Sequence, residues 1–202
     1  GDNSGLVLPP AVAPVQAVIV PIAQHKEGVL DKANSLYEQL KNAGIRVKLD
    51  DSENSPGWKF AEYEMKGVPL RIEIGPKDIE NNQAVLVRRD TLEKESVKLN
   101  DIVNVVSQTL DKIQINLYEQ ANKIKEERTY EANTLEEVEN IMNTKPGFVK
   151  AHWCGDEACE LRMKEIKGTK SRCIIESKDY ENETCVVCGK KAKHKVVWGI
   201  QY

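Results

Sequence analysis

The sequence predicts an α/β protein built from two domains. A strand–helix–strand pattern fills residues 15–49, and alternating strands follow between residues 68 and 99. The pattern changes near residue 130, and all five cysteines lie beyond residue 150. A chain of 202 residues has room for two small domains. Its net charge of −3 argues against nucleic-acid binding by the whole surface, but a local basic patch could still bind.

The first predicted unit is a parallel pair of strands joined by a helix. Residues 15–22 are nearly continuous in apolar side chains, as in a strand buried on both faces. Apolar residues recur at helical spacing in 27–43, and Gly44 follows at the position of a left-handed C-cap. Residues 45–49 alternate, so a right-handed crossover and parallel pairing are expected. Residues 1–14 hold three prolines and are interpreted as a linker.

A short helix and a strictly alternating strand come next. Ser55 followed by Pro56 predicts the start of the helix. Trp58 and Phe60 on this helix either pack into the core or stack on an unpaired base. In the strand, Arg71 and Glu73 share one face, and the apolar residues point to the other.

The corner after this strand is the first candidate binding site. Gly75 and Pro76 precede Lys77 and Asp78, which sets a cation beside an anion at the strand end. Such a corner can read the hydrogen-bonding edges of a ligand. The alternative is an ordinary half-exposed strand with solvated charges. Residues 83–90 are expected to form the next strand.

A long helix is predicted over residues 101–128, and the second domain follows it. Thr134 and Glu137 form a capping box at the start of a shorter helix. The remaining pattern predicts a small α/β domain, with its elements at residues 148–153, 156–166, 171–175 and 195–202.

Four cysteines have the spacing of a metal site. Cys154 and Cys159 form one pair, and Cys185 and Cys188 form the second. Two thiolate pairs on short turns can supply the four soft ligands of a tetrahedral zinc ion, with no position left for a catalytic water. Zn²⁺ would then be structural. A redox pair or unligated thiols are the alternatives.

A fifth cysteine and two histidines lie in the same part of the sequence. Cys173 is expected to be buried in a strand. His152 and His194 lie beside the cysteine pairs, and packed or exposed imidazole is favoured over metal ligation for both.

Targeting signals were not found in the sequence. No stretch approaches the roughly 20 apolar residues of a membrane span, and no signal-peptide pattern occurs. Together with the clustered cysteines, this favours a cytoplasmic location without membrane binding. The chain starts without Met, which predicts that it is a piece of a longer protein.

Several stretches together carry a family resemblance. They are GLVLPPAVAPVQAVIVPI, SPGWKFAEYEMKGVPLRIEIGPKDI, VLVRRDT, the four spaced cysteines and a terminal Tyr202. In this combination the chain resembles the C-terminal half of prolyl-tRNA synthetases of the eukaryote- and archaeon-like type, over essentially its whole length.

The resemblance implies a fold and a domain division. It implies a class II synthetase anticodon-binding domain, with a mixed sheet of about five strands and three helices, over residues 15–129. A small α/β zinc-binding domain would occupy 130–202, and 1–14 would link to a catalytic domain absent from the sequence. That missing domain would bind ATP and Mg²⁺ and form the homodimer. The fragment alone is therefore expected to be inactive.

The resemblance also implies a partner and site residues. The partner would be the anticodon loop of tRNA(Pro), with Lys77, Asp78, Arg71 and Glu64 as anticodon contacts. Tyr202 at the C-terminus would reach back towards the active site of the parent ligase, which attaches L-proline to tRNA(Pro) in an ATP-dependent two-step reaction. The alternative for Tyr202 is a strand end whose aromatic ring packs. A stand-alone zinc-stabilised module for RNA binding or protein interaction is the alternative.

Overall fold

The computed structural model describes residues 1–176, 180 and 182–200. They form two compact units, Gly1–Glu119 and Gln120–Tyr202. The predicted α/β class is confirmed for both units. Within the described residues, the helices are too short or too polar to cross a bilayer.

The first unit is a mixed five-stranded sheet with helices on both faces. Its elements are β1 Ala17–Pro21, α1 Val29–Asn42, β2 Val47–Leu49, α2 Pro56–Met65, β3 Leu70–Ile74, α3 Pro76–Glu80, β4 Gln83–Arg88, β5 Lys94–Lys98 and α4 Ile102–Glu127, the last of which continues beyond residue 119. The strand order is β2-β1-β3-β4-β5. β1 pairs in parallel with both β2 and β3, and β4 and β5 are antiparallel additions.

Burial on both faces explains the apolar run of β1. Ala17 and Ile19 pack with α1 and α4 in the main core. Val18 and Val20 point to the opposite face, where they pack with Tyr63 of α2. Alternate side chains of a strand must point to opposite faces, so a strand covered by helices on both sides has no polar position.

Local signals in the sequence predicted several helix ends correctly. The Ser55 hydroxyl accepts a hydrogen bond from the Trp58 N–H at the start of α2. Gly44 has φ +82°, the left-handed conformation expected after α1. The corner after β3 is different from the prediction: residues 76–80 form one helical turn, α3, so the unit has a fourth helix.

The second unit is a four-stranded sheet with two helices. Its elements are β6 Thr129–Glu131, α5 Leu135–Thr144, β7 Phe148–Trp153, α6 Glu157–Lys164, β8 Thr169–Ile175 and β9 His194–Ile200, with strand order β6-β7-β9-β8. The capping box of Thr134 and Glu137 is present. The core joins Val138 and Met163 of the helices to Val149 and Trp198 of the sheet.

Candidate nucleic-acid interface and metal centre

The candidate interface lies on the face of the first sheet that α2 covers in part. Phe60 and Glu64 are four residues apart on α2 and therefore lie on one side of the helix. Beyond them the same face continues over β4 and β5, where Lys94 and Ser96 are exposed.

Arg71 is the central residue of this face. It was predicted on a polar strand face, and its side chain is 9% exposed. Its guanidinium donates to Glu64 Oε1 at 2.7 Å and to Glu73 Oε1 at 3.0 Å. The guanidinium carbon of Arg71 lies 4.0 Å from the centroid of the Phe60 ring. These contacts hold one planar cation between two carboxylates and an aromatic ring, which leaves little rotational freedom.

Lys77 and Asp78 lie at the end of β3, on α3. The Asp78 Oδ2 atom accepts a hydrogen bond from the Gly75 N–H at 2.9 Å, which closes the first turn of α3. One carboxylate oxygen therefore stabilises the corner itself. The Lys77 side chain is exposed. The two predicted contacts thus differ in kind, because Asp78 also has a role in the fold.

The structure adds Lys94 to this surface. Its Nζ, on β5, lies 3.6 Å from Glu73 Oε1 on β3, so the contact spans the intervening strand β4. The sequence predicts only a short strand at residues 97–99, which leaves Lys94 outside it, whereas β5 begins at Lys94. The alternation of Lys94, Ser96 and Lys98 with Val97 was the available signal.

The structure also shows the surroundings of two aromatic residues and two arginines near this face. Trp58 is 50% exposed, whereas Phe60 is half-buried and packs against the cluster of Val18, Val20 and Tyr63, as expected for helix-to-sheet packing. Arg88 donates two hydrogen bonds to Asp90, at 3.0 and 2.6 Å. Arg89 is buried. Both arginines are thus bound to carboxylates of the chain, which supports a role in the fold over a phosphate contact.

A buried ion pair joins α2 to the residue that follows β2. Lys59 Nζ donates to the Asp50 carbonyl at 2.8 Å and lies 3.6 Å from Asp50 Oδ1. Burial alone would raise the pKa of Asp50. The hydrogen bonds from Ser52 and Tyr63, with the nearby Lys59 charge, outweigh burial and lower that pKa. Burial, with the hydrogen bond to Asp50, raises the pKa of Tyr63 to about 12.

The second unit contains the predicted cysteine cluster. One sulfur atom from each of Cys154, Cys159, Cys185 and Cys188 lies within 4.8 Å of the others. The Sγ atoms of Cys154 and Cys159 are 3.7 Å apart, as are those of Cys154 and Cys188. A tetrahedral zinc ion with Zn–S bonds of about 2.3 Å requires sulfurs about 3.8 Å apart. The cluster fits a metal ion such as zinc.

The backbone around the cluster favours thiolates at its exposed edge. The Lys190 N–H donates to Cys188 and lowers the pKa of that thiol to about 7. Burial raises the pKa of the Cys154 and Cys159 thiols, so without a metal ion these two sulfurs prefer to stay protonated. A bound cation would compensate for bringing four negative sulfurs together, three of them buried.

Cys185 and Cys188 lie on a short turn, as the spacing predicts. Gly189 adopts φ +70°, and its N–H donates to the Cys185 carbonyl at 2.9 Å. Within the described residues, the ligand set contains neither His152 nor His194. Tyr202 lies outside the described residues.

The expectation for Cys173 is wrong, because the residue is exposed. It belongs to β8, which forms the edge of the sheet and has a register shift between Ser171 and Cys173. An edge strand lacks a neighbour on one side, and the irregular register changes which side chains face the core.

Comparison with known proteins identifies both units. Residues 16–109 match the model described as "Anticodon binding domain", and residues 135–202 match "Prolyl-tRNA synthetase, C-terminal". These matches and the fold define an anticodon-binding domain of an aminoacyl-tRNA synthetase, followed by a domain with a four-cysteine cluster. The chain belongs to the prolyl-tRNA synthetase family, and it comprises the anticodon-binding and C-terminal region of that family.

Bacterial proteins are among the relatives of the chain. It is 58% identical over 202 residues to the proline–tRNA ligase of Clostridium botulinum (strain Loch Maree / Type A3). Identity is 55% to the proline–tRNA ligase of Clostridium novyi (strain NT) and 56% to that of Ruminiclostridium cellulolyticum. The alignments cover 100% of this chain and 42% of each relative.

Proposed function

We propose that the chain recognises the anticodon loop of tRNA(Pro) as part of a proline–tRNA ligase. The observation that carries this proposal is the fixed Arg71, held between Glu64 and Glu73 beside the Phe60 ring. An unpaired base exposes both its hydrogen-bonding edge and its ring face. The charged side chains can bind the edge, and the aromatic ring can stack on the face.

The chemistry of guanine matches this surface. Proline codons require anticodons that end in two guanines. The guanine edge has acceptors at O6 and N7, for which a cation is suited, and donors at N1 and N2, for which a carboxylate is suited. Lys77 and Arg71 supply the cations, and Glu64 and Asp78 supply the carboxylates. We therefore assign these four residues as anticodon contacts.

Phe60 and Lys94 extend the same surface. The half-buried Phe60 ring provides an aromatic face for stacking, which contributes about 1–3 kcal/mol per base in single-stranded complexes. Lys94 is exposed beside Glu73 and can neutralise a phosphate or contact a base. A local positive site of this kind needs no positive net charge for the whole chain.

The domain assignment and the parent activity belong to the same proposal. Residues 15–129 form the anticodon-binding domain, 130–202 form the zinc-binding domain with structural Zn²⁺ at the four cysteines, and 1–14 join them to a catalytic domain. That domain binds ATP and Mg²⁺, activates L-proline and forms the homodimer. In the assembled ligase, the C-terminal Tyr202 reaches the active-site region.

Binding to two synthetic stem–loops tests the recognition step. The 202-residue chain is titrated against a fluorescent tRNA(Pro) anticodon stem–loop and against the same RNA with both guanines replaced by adenines. The matched loop is expected to bind at least about tenfold more tightly, because a good base contact discriminates by about 1–3 kcal/mol. Equal affinity for the two RNAs would overturn the proposal.

The gene itself separates the ligase from a stand-alone RNA-binding module. An open reading frame that continues upstream of Gly1 into class II catalytic motifs would support the ligase. A stop codon in frame immediately upstream, with selective RNA binding retained, would support the independent module.

A further inference from the structure

The N-terminal segment, defined here as residues 1–8, packs backbone to backbone against the end of α2. The Leu6 N–H donates to the Met65 carbonyl at 3.0 Å, and the Leu8 N–H donates to the Gly67 carbonyl at 3.3 Å. A Cβ atom on Gly5 would lie 2.4 Å from Met65 Cα, and one on Gly67 would lie 2.7 Å from the Leu6 carbonyl carbon. A glycine on each side therefore permits this close contact.

One buried arginine joins the N-terminal segment to the candidate interface. Arg89, which is 4% exposed, donates through its two terminal nitrogens to the Asp2 carboxylate at 2.7 and 2.6 Å. Its Nε donates to the Glu64 carbonyl at 3.1 Å. Its backbone N–H donates to the Pro69 carbonyl at 2.9 Å. Arg89 thus contacts the segment, the last turns of α2 and the start of β3 at the same time.

The chain of contacts continues to the base-reading groups. The Glu64 backbone binds Arg89, while the Glu64 side chain accepts from Arg71 at 2.7 Å. A shift of the last turn of α2 would therefore change the distance between Glu64 and Arg71. Displacements of well under 1 Å matter for paired hydrogen bonds to a base.

We propose that Arg89 is a positioning residue for anticodon recognition, and that docking of the N-terminal segment through Asp2 sets the affinity for RNA. The proposal rests on the proposed function, because it assigns Glu64 to the reading surface. Arg89 itself is buried and does not contact RNA. Any change that releases Asp2 loosens α2 and weakens base reading from a distance.

Fork geometry makes arginine necessary at this position. The two terminal nitrogens and Nε point in different directions within one plane, so one side chain can bind a carboxylate and a separate carbonyl. A lysine at position 89 has one nitrogen and cannot maintain both contacts. The strength of the carboxylate contact is also reflected in Asp2, since the hydrogen bonds from Arg89 hold its pKa well below the ordinary value.

Arg46 provides a matched control. Its guanidinium donates to the carbonyls of Pro10 and Ala13, at 2.7 and 2.9 Å, and so anchors a neighbouring part of the chain. These contacts lie outside the Glu64 and Arg71 group. Arg46→Lys therefore loosens the N-terminal region by a similar chemical change without disturbing the end of α2.

The first measurement is the affinity of the 202-residue chain for the matched stem–loop. Arg89→Lys and Asp2→Asn are each expected to weaken binding about fivefold, in the range that couplings through such networks show. Arg46→Lys is expected to remain within about twofold of the wild type. Equal affinity of Arg89→Lys, Asp2→Asn and the wild type would overturn the proposal.

A double-mutant cycle with Glu64→Ala separates positioning from general damage to the fold. If Arg89 acts through Glu64, Arg89→Lys should lose most of its effect on binding once the Glu64 side chain is absent. The same fivefold loss in the Glu64→Ala background would overturn the proposal. If Arg89→Lys does not fold, the cycle is carried out with Asp2→Asn.

Hydrogen exchange keeps the inference testable even if RNA selectivity is absent. In Asp2→Asn, the amides at the end of α2 and the start of β3, residues 64–70, should exchange at least about threefold faster than in the wild type. Arg46→Lys should leave them unchanged. Unchanged exchange in Asp2→Asn would overturn the positioning role, whereas equal binding of both stem–loops by the wild type would overturn only the proposed function.

Discussion

The guanidinium carbon of Arg71 lies 4.0 Å from the centroid of the Phe60 ring, so the two side chains form one stacked unit between α2 and β3. The ring limits the guanidinium on one face, and Glu64 and Glu73 limit it at its edges. An arginine held in this way loses little rotational entropy when a base edge binds to it.

Arg71→Lys is expected to weaken binding of the matched stem–loop by about tenfold, because lysine keeps the charge and loses the planar fork. Phe60→Leu should weaken it by a smaller factor through loss of stacking. Fluorescence anisotropy measures both. Trp58→Leu is the control, since Trp58 is exposed on the same helix. A larger loss for Trp58→Leu than for Phe60→Leu would assign the stacking role to Trp58 instead.

Lys77 should contribute to RNA binding alone, whereas Asp78 should contribute to both RNA binding and stability. Lys77→Ala is expected to lower affinity about tenfold and leave the free energy of unfolding unchanged, because its side chain is exposed. Asp78→Ala should lower affinity and also stability, by about 1 kcal/mol, through loss of the bond from Gly75. Asp78→Asn retains an acceptor oxygen without the charge. It should recover the stability and not the affinity, as measured by chemical denaturation and anisotropy.

Metal removal should unfold the second unit selectively. Mass spectrometry of the purified chain is expected to find one zinc ion per molecule, and a chelator should expose the amides of residues 135–200 to rapid exchange. The first unit should keep its protection. Cys185→Ser should behave like chelation, whereas Cys173→Ser, outside the cluster, should behave like the wild type. Unchanged protection of the second unit after zinc loss would contradict a structural metal.

The pair of Arg88 and Asp90 should make the first unit sensitive to acid. Burial alone would raise the pKa of Asp90, but the hydrogen bonds from Arg88 and Asn116 outweigh it and lower that pKa below 3.8. The stabilisation is therefore complete above about pH 3.8 and is lost as the pH falls through the folded-state pKa.

Asp90→Asn should accordingly lower the free energy of unfolding at pH 7 by about 2 kcal/mol and reduce its dependence on pH below pH 4. Urea unfolding at a series of pH values measures both effects. Asp111→Asn, at an exposed position of α4, should retain the wild-type slope. If the free energy of unfolding of Asp90→Asn depended on pH as steeply as that of the wild type, another group would be responsible for the acid sensitivity.

Local chemistry explains what could be predicted without a structure. The α/β class, the Ser55 cap and the Thr134 capping box depend on neighbouring residues along the chain. The cysteine cluster was also predictable, because metal ligation restricts both residue type and spacing. The anticodon contacts came from the family resemblance, and they remain a proposal.

Only the tertiary structure decided the environment of the candidate interface. Arg71 was assigned to a polar strand face, but packing of Phe60 against β3 buries it. Arg89 is also buried by a contact that only folding creates, because its partner Asp2 lies 87 positions away in the sequence. Alternation along a strand determines which face a side chain occupies. What covers that face depends on elements brought together by folding. The sequence by itself therefore determined most of the elements and the four-cysteine cluster, and the tertiary contacts decided which charges are held rigid.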